Sequence, residues 1–335
     1  MTFFLLLIII IFLGFLSYVL TYLIRNFALR NKMLEIPNER SLHDIPTPKG
    51  GGIAIILTWY IGITILFFLG VIERSLYFAL LSGIMIALVS LIDDIKGLRP
   101  IFRLIFHFVA AIMAFCFLKG LRPLVMPDFN INYNFLVYPL AIIGMVWFIN
   151  LFNFMDGVDG FASVEVITIS CVMFIMSWNM ITILLIVCVT GFLCWNWPKA
   201  KIFMGDVGST QLGFILVVLG INFHNTLEFS ILNWIMLTSP FWFDATLTLF
   251  RRWRNNEKIS EAHRKHVYQR TVQAGFSHEK VNLLLIILNL FIITLIIFYR
   301  EFKPFQIPIF GLSLLVFYLI TKTIDRKVPF ERKKE

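Results

Sequence analysis

"FFLLLIIIIFLGFLSYVLTYLI", residues 3 to 24, contains no charged side chain. As a helix it is long enough to cross a hydrocarbon core about 30 Å thick. The whole chain shares this character: mean hydropathy is +0.84, and of 335 residues 59% are apolar and 15% charged. Soluble domains run at about 45–50% apolar and about 25% charged. The composition therefore excludes a soluble globular protein and predicts an all-α integral membrane protein.

Eleven apolar stretches follow one another, at about 3–24, 51–72, 75–92, 101–118, 135–152, 161–177, 180–196, 209–223, 229–250, 281–299 and 305–321. They predict eleven transmembrane helices. Residues 161 to 197 are too long for one crossing and are interrupted around Ser177, Trp178 and Asn179, which predicts a tight hairpin. No basic residue precedes the first stretch, whereas Arg25, Arg30 and Lys32 follow it. That pattern reads as an uncleaved anchor with its N-terminus outside. No linker, repeat or low-complexity segment divides residues 1–335, so the chain reads as one polytopic transmembrane domain.

Lysine and arginine concentrate in cytoplasmic loops. With the N-terminus outside and the C-terminus cytoplasmic, 24 of the 29 Lys and Arg residues fall inside, and only Arg74, Lys119, Arg122, Arg300 and Lys303 fall outside. The net charge of +9 and the tail "RKVPFERKKE" then imply orientation and attraction to anionic lipid. The lipid bilayer is the expected partner and nucleic acid is not. Cys116, Cys171, Cys188 and Cys194 all lie inside predicted helices, which argues against a disulfide framework.

With this orientation the polar residues gather on one face. "LIDDIKGLRPIFR" (91–103) sets Asp93 and Asp94 beside Lys96, Arg99 and Arg103; "NLFNFMDGVDGFAS" (150–163) spaces Asn150, Asn153, Asp156 and Asp159 three apart. "WNWPKAKIFMGDVGS" (195–209) carries Asn196 and Asp206, and "EAHRKHVYQR" (261–270) carries His263, Arg264 and His266. Carboxylates, amides and cations converging on one face can hold a divalent cation together with a polyanion. The quartet at 150–159 reads either as hard oxygen ligands for Mg²⁺ or as a polar turn capping the next helix. "PKGGG" (48–52) could set Lys49 against a phosphate, although it lacks the Walker A spacing and also suits a membrane-entry turn. His263 and His266, without further Cys or His, are better suited to phosphate or sugar than to zinc. His107 reads as a satisfied interior histidine.

Taken in order, "PNERSLHDIPTPKGGG" (37–52) and these motifs resemble the polyprenyl-phosphate N-acetylhexosamine-1-phosphate transferases. That family includes bacterial enzymes that start peptidoglycan and O-antigen synthesis and the eukaryotic enzyme that starts N-glycosylation. The likeness spans residues 37–275 and is greatest for the O-antigen or lipopolysaccharide-initiating branch, because the triple-histidine run of the muramoyl-pentapeptide enzymes is absent.

The resemblance implies Asp206 as a magnesium ligand helped by Asn153, with Mn²⁺ as a substitute metal. It implies Asp93 and Asp94 beside the reacting phosphates, Arg103 on a phosphate, and Asp156, Asp159 and Asn196 around the nucleotide. His263, Arg264 and His266 would grip the pyrophosphate and sugar, with Lys49 and Asn150 as further substrate-binding residues. The implied reaction transfers N-acetylhexosamine-1-phosphate from a UDP-sugar to undecaprenyl phosphate at the cytoplasmic face of the bacterial inner membrane, releasing UMP. Other readings are a phospho-N-acetylmuramoyl-pentapeptide transferase and, in another class, an ion-coupled transporter, which would bind near the midplane in repeated halves. The amino sugar, the prenyl chain length and the oligomeric state, a homodimer among them, stay open.

Overall fold

The computed structural model describes residues 3–37, 41–125, 130–131, 134–259, 261, 263–301 and 305–330. Arg40, Ala262, Lys303 and the tail from 331 to 335, all part of the motif and charge readings, lie outside the described residues.

Helices account for the fold. In chain order they are α1 (Phe3–Arg30), α2 (Gly52–Phe68), α3 (Arg74–Leu81), α4 (Ile84–Lys96), α5 (Pro100–Phe117), α6 (Asn134–Phe154) and α7 (Phe161–Ser177). They continue with α8 (Met180–Asn196), α9 (Asp206–Asn225), α10 (Ile231–Leu237), α11 (Ser239–Arg254), α12 (Val267–Gln273), α13 (His278–Glu301) and α14 (Gln306–Lys327). Two two-stranded antiparallel pairs complete it, β1 (Leu34–Glu35) with β2 (Thr47–Pro48) and β3 (Leu124–Val125) with β4 (Asn130–Ile131).

Among the described residues seven stretches are helical, long and apolar enough to cross a membrane: Phe4–Arg30, Arg74–Lys96, Pro100–Phe117, Phe135–Phe154, Asp206–Asn225, His278–Phe298 and Gln306–Lys327. The predicted spans 51–72, 161–177 and 180–196 form helices of 17 residues each, α2, α7 and α8. At 1.5 Å per residue each rises only about 25 Å. The predicted span 229–250 divides at Thr238 into α10 and α11. The helical membrane class is therefore observed, while eleven crossings and their direction rest on the sequence alone. The break at 177–179 is sharp: Trp178 turns the chain at φ 53°, and Asn179 caps α8 by accepting from the Ile181 amide at 3.2 Å.

α9 forms the axis, with every residue from Val207 to His224 buried. Its N-terminus meets that of α2 so closely that a Cβ on Gly52 would stand 2.4 Å from Gly208 Cα. Only glycine permits that approach, and it brings Lys49 beside Asp206. Contacts tie alternate helix termini to one end of the bundle. Arg25 of α1 donates to Lys201 O in the α8–α9 loop, Asn153 of α6 to Ser209 of α9, and Arg251 of α11 to Asp325 of α14.

Two interior groups depart from expectation. Glu165, which the sequence reading overlooked, lies fully buried in α7 and accepts from Asn289 of α13 at 2.6 Å. His107 is buried in α5, but neither ring nitrogen has a hydrogen-bond partner among the described residues.

Candidate active site

Four of the motif stretches come together around Asp206, the first residue of α9. Lys49 Nζ lies 2.7 Å from Asp94 Oδ1 and 3.8 Å from Asp206 Oδ1. Arg103 Nη1 lies 2.8 Å from Asp93 Oδ2 and 3.0 Å from Asp206 Oδ2. The result is an alternating row, Asp94–Lys49–Asp206–Arg103–Asp93, in which each cation is shared between two carboxylates. Burial alone would lower the Lys49 pKa, but Asp206 and then Asp94 outweigh it and the net shift is upward.

Two cavities flank this row. The smaller, about 210 Å³, is lined by Lys49, Asp156, Asp159, Asn196, Phe203 and His278 among others. The larger, about 660 Å³, is lined by Arg103, Asn150, His263 and His266, with apolar Ile101, Leu104 and Leu249. Among the described residues only Asn153 and Asp206 border both. The pair Asp93 and Asp94 is thus split. Neither lines either of these two cavities; Asp93 holds Arg103 at the larger one, and Asp94 holds Lys49 at the smaller. Asp93 is also fully used, since its Oδ1 accepts from the Leu98 amide at 2.6 Å.

A family model for glycosyl transferase family 4 matches residues 76–224. A probable undecaprenyl-phosphate N-acetylglucosaminyl 1-phosphate transferase of Bacillus subtilis is 28% identical over 94% of this chain and 92% of its own length. An undecaprenyl-phosphate alpha-N-acetylglucosaminyl 1-phosphate transferase of Thermotoga maritima is 29% identical, covering 76% and 79%. The chain is thus similar, over most of its length, to polyprenyl-phosphate N-acetylglucosamine-1-phosphate transferases. A phospho-N-acetylmuramoyl-pentapeptide-transferase of Kosmotoga olearia is 32% identical, but over only 40% of this chain and 48% of its own. The apolar spans and these bacterial relatives make the transferase a multi-pass protein of the bacterial inner membrane.

In the transferase the quartet at 150–159 is no helical stripe. α6 ends at Phe154, and the chain then turns, with Gly160 at φ 76°. Asn150 therefore faces the larger cavity, Asn153 the junction, and Asp156 and Asp159 the smaller cavity. Burial, and then the Asp206 carboxylate, push the Asp156 carboxyl well above its usual range. Asp159 Oδ2 meets His278 Nδ1 at 3.1 Å and accepts from the Ala200 amide at 3.1 Å. Asn196 uses both ends of its amide on backbone, accepting from Gly160 N and donating to Ile202 O, each at 2.9 Å. Its contribution is to clamp two loops that wall the cavity.

The glycine run is equally committed. Gly50 and Gly51 donate their amides to Phe203 O, and Gly52 donates to Met204 O. Their N–H groups are occupied, so from "PKGGG" the side chain of Lys49 is what faces a ligand. In the loop before α12, His263 and His266 lie with ring centroids 4.8 Å apart. Burial first, then the His266 and Arg252 charges, lower the His263 pKa to about 3, so it is neutral at physiological pH. Arg264 does not line either cavity, and the structure does not bring it to the site with the two histidines.

Residues missed in the sequence also belong to the wall: Glu35, His43, Phe203 and His278. Of these His278 carried a usable signal, a histidine at the polar start of an apolar helix. Among the described residues no group of three or more His, Cys, Asp or Glu side chains could hold a metal. The donor set instead suits a cation that takes one or two protein oxygens and fills its shell with substrate phosphates and water, as Mg²⁺ does. Asn153 Nδ2 donates to Ser209 Oγ at 2.9 Å, which leaves its carbonyl oxygen as the hard donor beside Asp206.

Proposed function

We propose that the transferase moves N-acetylhexosamine-1-phosphate from a UDP-sugar to undecaprenyl phosphate, releasing UMP, at the cytoplasmic face. The observation that carries this reading is the junction at Asn153 and Asp206, which borders a polar cavity on one side and a cavity with an apolar flank on the other. The nucleotide occupies the smaller cavity, near Asp156, Asp159 and Lys49. The sugar diphosphate crosses the junction toward His263 and His266. The prenyl phosphate enters the larger cavity past Ile101, Leu104 and Leu249, where Arg103 meets it.

The acceptor phosphate, with a second pKa near 6, is largely ionised at neutral pH. Its oxygen attacks the β-phosphorus, a new P–O bond forms, and the bond from that phosphorus to the bridging oxygen breaks as UMP departs. No strong general base is required. Lys49 and Arg103 hold the phosphates in line and offset their charge, which is where positioned cations lower such a barrier. Asp93 and Asp94 keep those two cations in place. Asp206 and the Asn153 carbonyl would hold Mg²⁺, or Mn²⁺ in its stead, which would supply charge neutralisation at the diphosphate. The missing triple-histidine run favours a lipid-linked amino sugar that begins an O-antigen or other envelope polysaccharide over the muramoyl-pentapeptide product.

Purified protein incubated with undecaprenyl phosphate and a panel of UDP-N-acetylhexosamines tests this by product mass. A lipid heavier by one N-acetylhexosamine phosphate, formed with UMP, is expected. Absence of such a lipid with every donor would refute the reading.

A further inference from the structure

Asp325, near the end of α14, joins two arginines from other helices. Arg251 Nη1 of α11 donates to its Oδ1 at 3.0 Å, and Arg270 Nη2 of α12 donates to the same oxygen at 2.7 Å. Arg270 also donates to the Val328 carbonyl. Just beyond, the buried ring of Phe330 faces three cations, with Arg251, Lys265 and Arg270 at 3.9, 5.1 and 5.5 Å from its centroid. Arg270 is 2% exposed, and its Nε and Nη1 have no hydrogen-bond partner among the described residues. A charge buried that deeply needs compensation, and the Asp325 carboxylate and the Phe330 ring face supply it.

α12 is also tied to the end of α6, where the Tyr268 hydroxyl donates to Phe154 O and accepts from Gly157 N, while the ties of the loop from Asn255 are to α11 and α12. Arg252 holds Glu257 and the carbonyls of Lys258 and Ile259. Glu257 accepts from Lys265 at 2.6 Å. Asp244 of α11 accepts from the Val267 and Tyr268 amides at the start of α12. The segment from Asp325 to Phe330 anchors this unit to α14, and it touches Lys265, midway between His263 and the start of α12.

We infer that Asp325 and Phe330 form a strap that fixes the end of the α11–α12 loop, residues 263 to 266, and so positions His263 and His266 at the larger cavity. Neither strap residue lines that cavity, so both are positioning residues. The identity of the substrate the loop serves rests on the proposed function; the strap itself does not.

The test uses the full-length protein in lipid nanodiscs, with Phe330→Leu, Phe330→Tyr and Asp325→Asn. Hydrogen exchange of residues 263–266 is measured, together with kcat and the separate KM values for UDP-sugar and prenyl phosphate. Leucine preserves burial but removes the ring face. Exchange in the loop and the UDP-sugar KM should each rise about tenfold, equivalent to about 1.4 kcal/mol, with kcat and the prenyl-phosphate KM little changed. Tyrosine should restore both, and Asp325→Asn should follow leucine. The strap is refuted if folded Phe330→Leu and Asp325→Asn keep wild-type loop exchange, or if tyrosine fails to restore what leucine lost. Lost protection with a rise in the prenyl-phosphate KM instead would support the strap while overturning the assignment of the loop to the sugar nucleotide.

Discussion

Arg103 and Asp206 stand 3.0 Å apart, Nη1 to Oδ2, and the same guanidinium nitrogen reaches Asp93 at 2.8 Å. One cation therefore serves two carboxylates drawn from different motifs, as Lys49 does on the opposite oxygen of Asp206. This arrangement specifies which substitutions should couple.

Asp93 should act through Arg103, and Asp94 through Lys49. In double-mutant cycles on kcat/KM, Asp93→Asn with Arg103→Met should be far less than additive, as should Asp94→Asn with Lys49→Met. The crossed pairs, linked only through Asp206, should couple more weakly than these. Strong coupling between Asp93 and Lys49 would contradict the division.

Asp206→Asn removes one ligand charge with almost no change of shape. It should abolish turnover while leaving expression and membrane insertion intact. Chelation of divalent cations should abolish wild-type turnover, and Mg²⁺ or Mn²⁺ should restore it. Most of the wild-type rate in Asp206→Asn at saturating Mg²⁺ would exclude the role.

UMP binding can be measured without lipid, which isolates the smaller cavity. It should weaken at least about tenfold in Asp159→Asn, because the Oδ2 that engages His278 and the Ala200 amide loses its charge. Asp93→Asn, which acts through Arg103 at the other cavity, should bind UMP as the wild type does and still lose transfer. Normal UMP binding in Asp159→Asn would reduce that residue to a polar turn at a helix end.

Much of this was legible in the chain. Apolar runs of helical length showed the membrane class, and the polar motifs between them marked one end of the bundle. Three-residue spacing did not show where the helix stops: with α6 ending at Phe154, Asn150 and Asp159 open onto different cavities. Likewise "DD" could not reveal that adjacent carboxylates hold cations on opposite sides of Asp206, because that depends on α2 and α5 converging on α9. His278 and Phe330 owe their place to contacts more than a hundred and about sixty residues away in sequence, to Asp159 and Arg270, which no local pattern encodes.

The central claim is that a sugar leaves its nucleotide together with the β-phosphate. It is tested most directly by UDP-N-acetylglucosamine labelled with ³²P at the β position, incubated with purified protein and undecaprenyl phosphate. The label should pass to the lipid fraction, with unlabelled UMP released in equal amount, and Asp206→Asn should show neither. Label recovered in UDP, with sugar alone on the lipid, would contradict the account.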